Sequence, residues 1–213
     1  MDLLQASAVA FQKLTGSDYV ITARKREHTI RVSVFFETGH FFHLIGLSKL
    51  RDIPVLNNKN KGNVFQRILN GEITYDTISK SAFFEAIRDR IYYFSELETL
   101  LNNEIILKFN QNKAHSLIHA TMLLYRKQDD VYLHLFLTPK DSQNDILIPC
   151  SFFPRNDNKY ILHQEVYKVI QIERIQHPEI QRPLFDRIIT QARRQADEQT
   201  DKSHVKHPSR EER

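Results

Sequence analysis

Cysteine, tryptophan and glycine are the scarce residues of this 213-residue chain. There is one cysteine, Cys150, there is no tryptophan, and glycine occurs five times. A lone cysteine rules out an intramolecular disulfide and any multi-cysteine zinc or iron–sulfur site, which suits a reducing, intracellular setting. Five glycines leave no place for a Gly-rich loop of the Walker or dinucleotide type, because such a loop cradles phosphates on closely spaced, unhindered amides. No apolar run approaches the roughly 20 residues that span a bilayer, and Met1-Asp2-Leu3-Leu4-Gln5 lacks the basic start of a secretory signal. The expectation is a cytoplasmic protein with no membrane partner.

What the chain does have is ordinary globular material, 41% hydrophobic and 26% charged, enough for one buried core. Thirty basic against 26 acidic residues leave a formal charge of +4, which permits an anionic partner without demanding one.

Apolar spacing predicts a helix over residues 2–14, stopped by Gly16, and then a hairpin from the alternations Tyr19, Ile21, Ala23 and Ile30, Val32, Val34, Phe36. A helix follows Gly39, with Thr38 as a candidate cap, and the turn-rich segment from Asn57 to Asn63 reads as a basic surface loop. Short helices are expected at about 63–70 and 74–79. Ser81 opens what reads as one long helix to about Asn102, on the spacing of Phe84, Ile87, Ile91, Phe94, Leu97, Leu100 and Leu101.

Beyond it the pattern changes to strands at 105–109, 120–126, 131–138, 146–153 and 166–175, with a hairpin turn at Gln128-Asp129-Asp130. The expected fold class is α+β: an N-terminal hairpin and helices packed on one face of an antiparallel sheet of about five strands. A single domain over 1–178 is expected to be followed by a C-terminal helix and a disordered charged tail over 179–213, with Pro178 and Pro183 at the boundary.

Three clusters can carry chemistry. His40 and His43 stand one helical turn apart, with Lys49 further along. Imidazole suits general acid–base work near neutral pH, although such a pair also occurs as ordinary histidines, one packed and one solvated. No third ligand accompanies them, so neither a metal nor any other cofactor is expected. In Ile148-Pro149-Cys150-Ser151-Phe152-Phe153-Pro154, strand alternation would put Cys150 with Phe152 and Ser151 with Phe153. Ser151 could bond a phosphate or simply a neighbouring strand. Lys80-Ser81, Arg88 and Arg90 form the third cluster, and only one of the two arginines can line a cleft, the alternative being a face neutralised by Glu85 and Asp89. The tyrosines read mostly as core, although some could stack bases beside Arg126, Lys127 and Lys168.

The string Phe41-Phe42-His43-Leu44-Ile45-Gly46-Leu47, then Ser81-Ala82-Phe83-Phe84 with Ile87, Arg90 and Ile91, then Ser151-Phe152-Phe153 with Tyr160 and Gln164, resembles a known family from about Thr15 to Ile175. This is the fourth phage group of the barnase–EndoU–colicin–RelE-like nucleases. The resemblance implies an α+β fold and a metal-independent ribonuclease of a phage or mobile element, toxin-like in character; a mechanism consistent with the residues, attack by the 2′-hydroxyl, would leave a 2′,3′-cyclic phosphate. It favours His43 as the acid–base residue, with Ser151 and Arg90 on the phosphate; His40 and Lys49 are added by proximity, and His163 is a further candidate for the second histidine. Ser81, Arg88, Tyr160 and Gln164 complete the expected substrate contacts. The competing expectation is an inactive, nuclease-like binding protein that acts on a host or immunity protein.

Overall fold

A computed structural model describes residues 1–57, 60–140 and 145–176. The first helix, α1 (Leu3–Leu14), buries Leu4, Ala8, Phe11 and Leu14, the stripe its spacing calls for. Its cap is Asp2, one carboxylate oxygen of which accepts from the Gln5 amide at 2.8 Å while the other accepts from the Tyr75 amide at 2.7 Å. The hairpin follows as β1 (Ser17–Lys25) and β2 (His28–Phe35), with Lys25 opposite His28. Arg26 therefore stands in the two-residue turn and takes φ +52°, which such turns require.

Next come α2 (Thr38–Leu44), α3 (Lys61–Leu69) and α4 (Tyr75–Ser79), all short. The residue before α2 that caps it is Glu37, and Thr38 is already helical. The long helix expected from Ser81 to Asn102 is instead broken into 3₁₀ turns at Phe84–Ala86 and Phe94–Glu96 around α5 (Arg88–Tyr93) and α6 (Leu97–Leu101). Ile87 leaves helical geometry at φ −129°. The apolar residues are nevertheless buried as expected. Most of their spacings are three, and a chain that alternates 3₁₀ and α turns keeps such residues on one face.

The expected open sheet of about five antiparallel strands is replaced by a closed barrel of seven, in the order β1-β2-β6-β5-β4-β3-β7. The later strands are β3 (Ile105–Lys108), β4 (Met122–Gln128), β5 (Val131–Pro139), β6 (Ile146–Arg155) and β7 (Glu165–Gln176). β7 is twelve residues long, and one end pairs antiparallel with β3 while the other pairs antiparallel with β1. β2 closes the ring by pairing parallel with β6 at Ser33–Ile146 and Val34–Leu147. The parallel step is possible because the helical segment from residue 38 to 101 and three strands lie between β2 and β6, which gives the crossover that neighbouring strands lack. Closure gives every strand a partner on both sides, although β2 and β6 meet over two residue pairs only.

Leu133, Leu135 and Leu137 of β5 join the helices in one large core, in which Phe11 meets Phe36, Phe41, Phe65 and Phe94 at 5.5–6.0 Å between ring centres. The other face of β5 carries His134 and Phe136, and a smaller core forms there from Leu107, Phe109, Ala114, Leu123 and Phe136. A bulge shifts the pairing of β5 with β6 between Phe136 and Leu137. Cys150 is the extra residue, so it joins the smaller core with Phe153 while Phe152 enters the large one, contrary to the simple alternation.

The segment from α2 to α5 is held by one close approach. Gly46, at φ +89°, ends α2, and a Cβ placed there would lie 2.7 Å from Ile87 Cγ2 and 3.2 Å from Arg90 Cδ. Gly46→Ala should therefore cost about 3 kcal/mol, adding left-handed strain to overpacking. Urea denaturation checks this, and an unmoved midpoint would mean that Ile87 yields freely. The expected helix and charged tail over 179–213 lie outside the described residues. Among the described residues no helix is long and apolar enough to cross a membrane.

Candidate active site

Two 3₁₀ turns, Leu47–Lys49 and Pro54–Leu56, fold the chain after α2 back toward the start of α3. Proline at the first position of the second turn suits it, since its amide would have no partner there. The result is an open hollow of about 200 Å³. Phe42, Leu47, Leu50 and Leu56 form its apolar floor, and His43, Ser48, Arg51, Asn57 and Lys61 supply its polar groups. The hollow is smaller than a drug-sized pocket, so it suits one phosphodiester link better than a whole nucleotide.

Its electrostatics are one-sided. Among the described residues no carboxylate lines the hollow, and neither Arg51 nor Lys61 enters an ion pair. Lys61 Nζ sits 4.0 Å above the centre of the Phe42 ring and 3.5 Å from the Leu56 carbonyl, which accepts its proton. The aromatic face thus holds the ammonium over the floor without neutralising it. Asp52, next to Arg51 in sequence, turns its carboxylate elsewhere: it accepts from Ser81 Oγ at 2.5 Å and from the Ala82 amide at 2.8 Å. The Ser81 hydroxyl and then the Ala82 amide hold that carboxyl below the usual carboxylate range.

The expected site residues separate into groups. His43 is exposed and lines the hollow. His40 backs it from the first turn of α2, where its Nδ1 accepts from the Glu37 amide at 3.0 Å. Burial pushes the His40 imidazole below its ordinary pKa, opposed by Glu37 and reinforced by Lys140 and His43. Ser81 is buried and committed to Asp52. Arg88 is exposed and neutralised by Glu85 at 2.6 Å and Asp89 at 3.3 Å, the balanced face that was the alternative reading.

Arg90 is the more enclosed arginine, its guanidinium carbon 5.5 Å from the centre of the Phe153 ring and its stem against Gly46. Lys49 reaches the Ala86 carbonyl at 3.5 Å, and burial followed by the nearby Arg90 charge depresses its pKa. Ser151 is half-buried on β6 opposite Phe136, and neither it nor Arg90 is among the residues that line the hollow with His43.

Tyr160 and Gln164 belong to the smaller core. Tyr160 packs on Phe136 at 5.4 Å, Phe153 at 5.5 Å and His134 at 5.7 Å between ring centres. The Gln164 amide forms a two-point clamp, its oxygen accepting from the Asn110 amide at 2.8 Å and its nitrogen donating to the Asn110 carbonyl at 3.3 Å. Gln164→Ala should cost about 1 kcal/mol and speed amide hydrogen exchange in residues 110–118, since the Asn110 backbone groups lose the Gln164 amide. Wild-type exchange in the variant would show that the clamp is redundant. His163 stands at φ +62°, and its carbonyl accepts from Lys113.

Sequence reasoning passed over His134, which is fully buried, with neither ring nitrogen hydrogen-bonded. Its ring stacks on Phe136 at 6.1 Å and on Phe153 at 5.6 Å. Burial drives its pKa down to about 4 against smaller upward pulls from the Phe153 and Tyr132 backbone and Asp157. The signal was the alternation Tyr132, His134, Phe136 inside an otherwise apolar strand. Arg51 and Lys61 were also missed as site residues, for they meet His43 only once the two 3₁₀ turns have formed. Among the described residues no three His, Cys, Asp or Glu side chains gather where they could hold a metal ion.

A family model described as phage-Barnase-EndoU-ColicinE5/D-RelE like nuclease4 matches residues 3–180, most of the chain. No curated protein and no solved structure matches it.

Proposed function

We propose, because the chain belongs to the phage-Barnase-EndoU-ColicinE5/D-RelE like nuclease4 family, that it is a metal-independent endoribonuclease whose chemistry takes place in the hollow of His43. One observation carries this reading: an exposed imidazole shares a cavity with a guanidinium, an ammonium and a hydroxyl, with no carboxylate in the lining. Such a donor set attracts a phosphodiester and offers a divalent cation no anionic ligand.

In this mechanism His43 takes the proton from the ribose 2′-hydroxyl as that oxygen attacks phosphorus. The bond to the 5′-oxygen breaks, the departing oxygen takes a proton from solvent water, the hydroxide so formed is neutralised by the proton that His43 gives up, and a 2′,3′-cyclic phosphate remains. Charge builds on the non-bridging oxygens in the transition state, where Arg51 and Lys61 stabilise it and Ser48 donates a hydrogen bond. His40 is a positioning residue: its Nδ1 is occupied by the cap of α2, so it sets the entry of the helix that presents His43. Lys49 and Arg90 draw the flanking phosphates, and Ser151 lies outside the chemical step.

The test is cleavage of an RNA oligonucleotide by the purified protein in EDTA. Cleavage should persist, and a single 2′-deoxy substitution at the scissile nucleotide should abolish it. Cleavage that needs a divalent ion, or that survives the deoxy substitution, removes the 2′-hydroxyl mechanism.

A further inference from the structure

A second open cavity, of about 400 Å³, lies between α5 and the end of β6. It is lined by Asp89, Tyr92 and Tyr93 from α5, Val131 from β5, and Pro154 and Asn156. Its character is opposite to that of the hollow of His43. The latter has cations and no carboxylate, whereas this cavity has a carboxylate and no cation in its lining.

The two tyrosines form its corner. Their ring centres are 4.9 Å apart and their planes meet at 85°. Tyr92 is 64% exposed although it is a large aromatic side chain on a helix whose opposite face is in the core, so folding leaves its ring unused. Tyr93 is half-buried. Beyond burial and Tyr92, the charges of Asp129 and Asp89 act on the Tyr93 hydroxyl and hold its pKa above the ordinary phenol value. Asp129 is at the β4–β5 turn, with φ +52°. One carboxylate, Asp89, lines the cavity together with the two rings.

Arg88 bridges Glu85 at 2.6 Å and Asp89 Oδ1 at 3.3 Å, so Asp89 is partly paired, and among the described residues its Oδ2 has no donor. An aromatic corner beside a carboxylate oxygen favours a delocalised cation, which stacks on one ring and presents its donors to the carboxylate.

We infer that this cavity is a recognition site for an arginine side chain of a partner polypeptide, its guanidinium stacked on Tyr92 and hydrogen-bonded to Asp89, with the Asn156 amide available to the partner's backbone. The planar fork of arginine fits the ring-and-carboxylate corner better than the point charge of lysine. The inference is independent of the ribonuclease reading, since the site uses none of the residues that act in the hollow.

The experiment is a titration of the full-length protein with Nα-acetyl-arginine methylamide, followed by the aromatic NMR signals of Tyr92 and Tyr93. Saturable shifts of both rings are expected in the millimolar range. Tyr92→Ala and Asp89→Asn should each weaken the binding about tenfold, as loss of a desolvated cation–π contact or of a charged acceptor implies. The lysine analogue should bind more weakly, and cytidine and guanosine should leave the rings unmoved. Tyr92 is exposed, so Tyr92→Ala should fold normally and cleave RNA at the wild-type rate. Absence of a saturable shift, equal binding by Asp89→Asn, or nucleoside binding at the same rings would each overturn the assignment, the last by making the cavity a base-binding pocket.

Discussion

His43→Ala should lower RNA cleavage at least a hundredfold while leaving the fold intact. General-base help is worth about 10²–10⁴ in rate, and among the described residues no other imidazole lines the hollow to replace it. The substitution removes an exposed ring at the end of α2, where the buried neighbours Phe41, Phe42 and Leu44 carry the packing. Thermal unfolding should therefore move little, which separates lost chemistry from lost structure. Arg51→Gln and Lys61→Gln make the complementary comparison. Each removes a phosphate contact that strengthens as charge develops, so kcat should fall together with kcat/KM. Full turnover by His43→Ala would exclude this residue as the base, and the hollow would then be at most a phosphate-binding site.

Acid should loosen the molecule at pH values where its carboxylates are still charged. His134 is neutral and enclosed in the folded state, with a pKa of about 4, whereas in the unfolded chain it titrates near 6.5. As pH falls through 6.5 the unfolded chain takes up this proton and the folded one does not, so stability declines until the folded pKa is reached. The displacement corresponds to about 3 kcal/mol lost between pH 6.5 and about 4, at about 1.4 kcal/mol per pH unit. His40, also depressed by burial, adds to the loss in the same direction. Asp52, Asp157 and Glu165, whose pKa values are lowered, contribute at more acid pH. Urea titrations at several pH values measure the slope, and His134→Phe should flatten most of it while keeping the stack on Phe136 and Phe153. A variant with the wild-type slope would assign the acid sensitivity elsewhere.

Much of the secondary structure was legible because local rules produce it. The helix over 3–14, the hairpin and the strands that follow residue 104 all declare themselves through apolar spacing and turn residues. The break at Ile87 was hidden because spacings of three fit both kinds of helix. The bulge at Cys150 was hidden because pairing with β5 inserts it, and nothing in Pro149-Cys150-Ser151 alone requires it. His43 stood out among the candidates through its neighbours Phe42, Leu44 and Gly46. His134, enclosed by aromatic side chains from two strands and a loop, did not.

The sequence by itself determined that the chain has one cysteine, too few glycines for a phosphate loop, a basic excess of four charges and the alternations of its strands. A family model matches it over residues 3–180. Tertiary structure alone decided the closure of the barrel through β1–β7 and β2–β6, since strand edges accept any partner whose backbone arrives in register. It likewise decided that Arg51 and Lys61, rather than Ser151 and Arg90, share the cavity of His43. Spacing along a chain governs which residues share a face of one element, whereas charges on separate turns meet only after packing has brought those turns together.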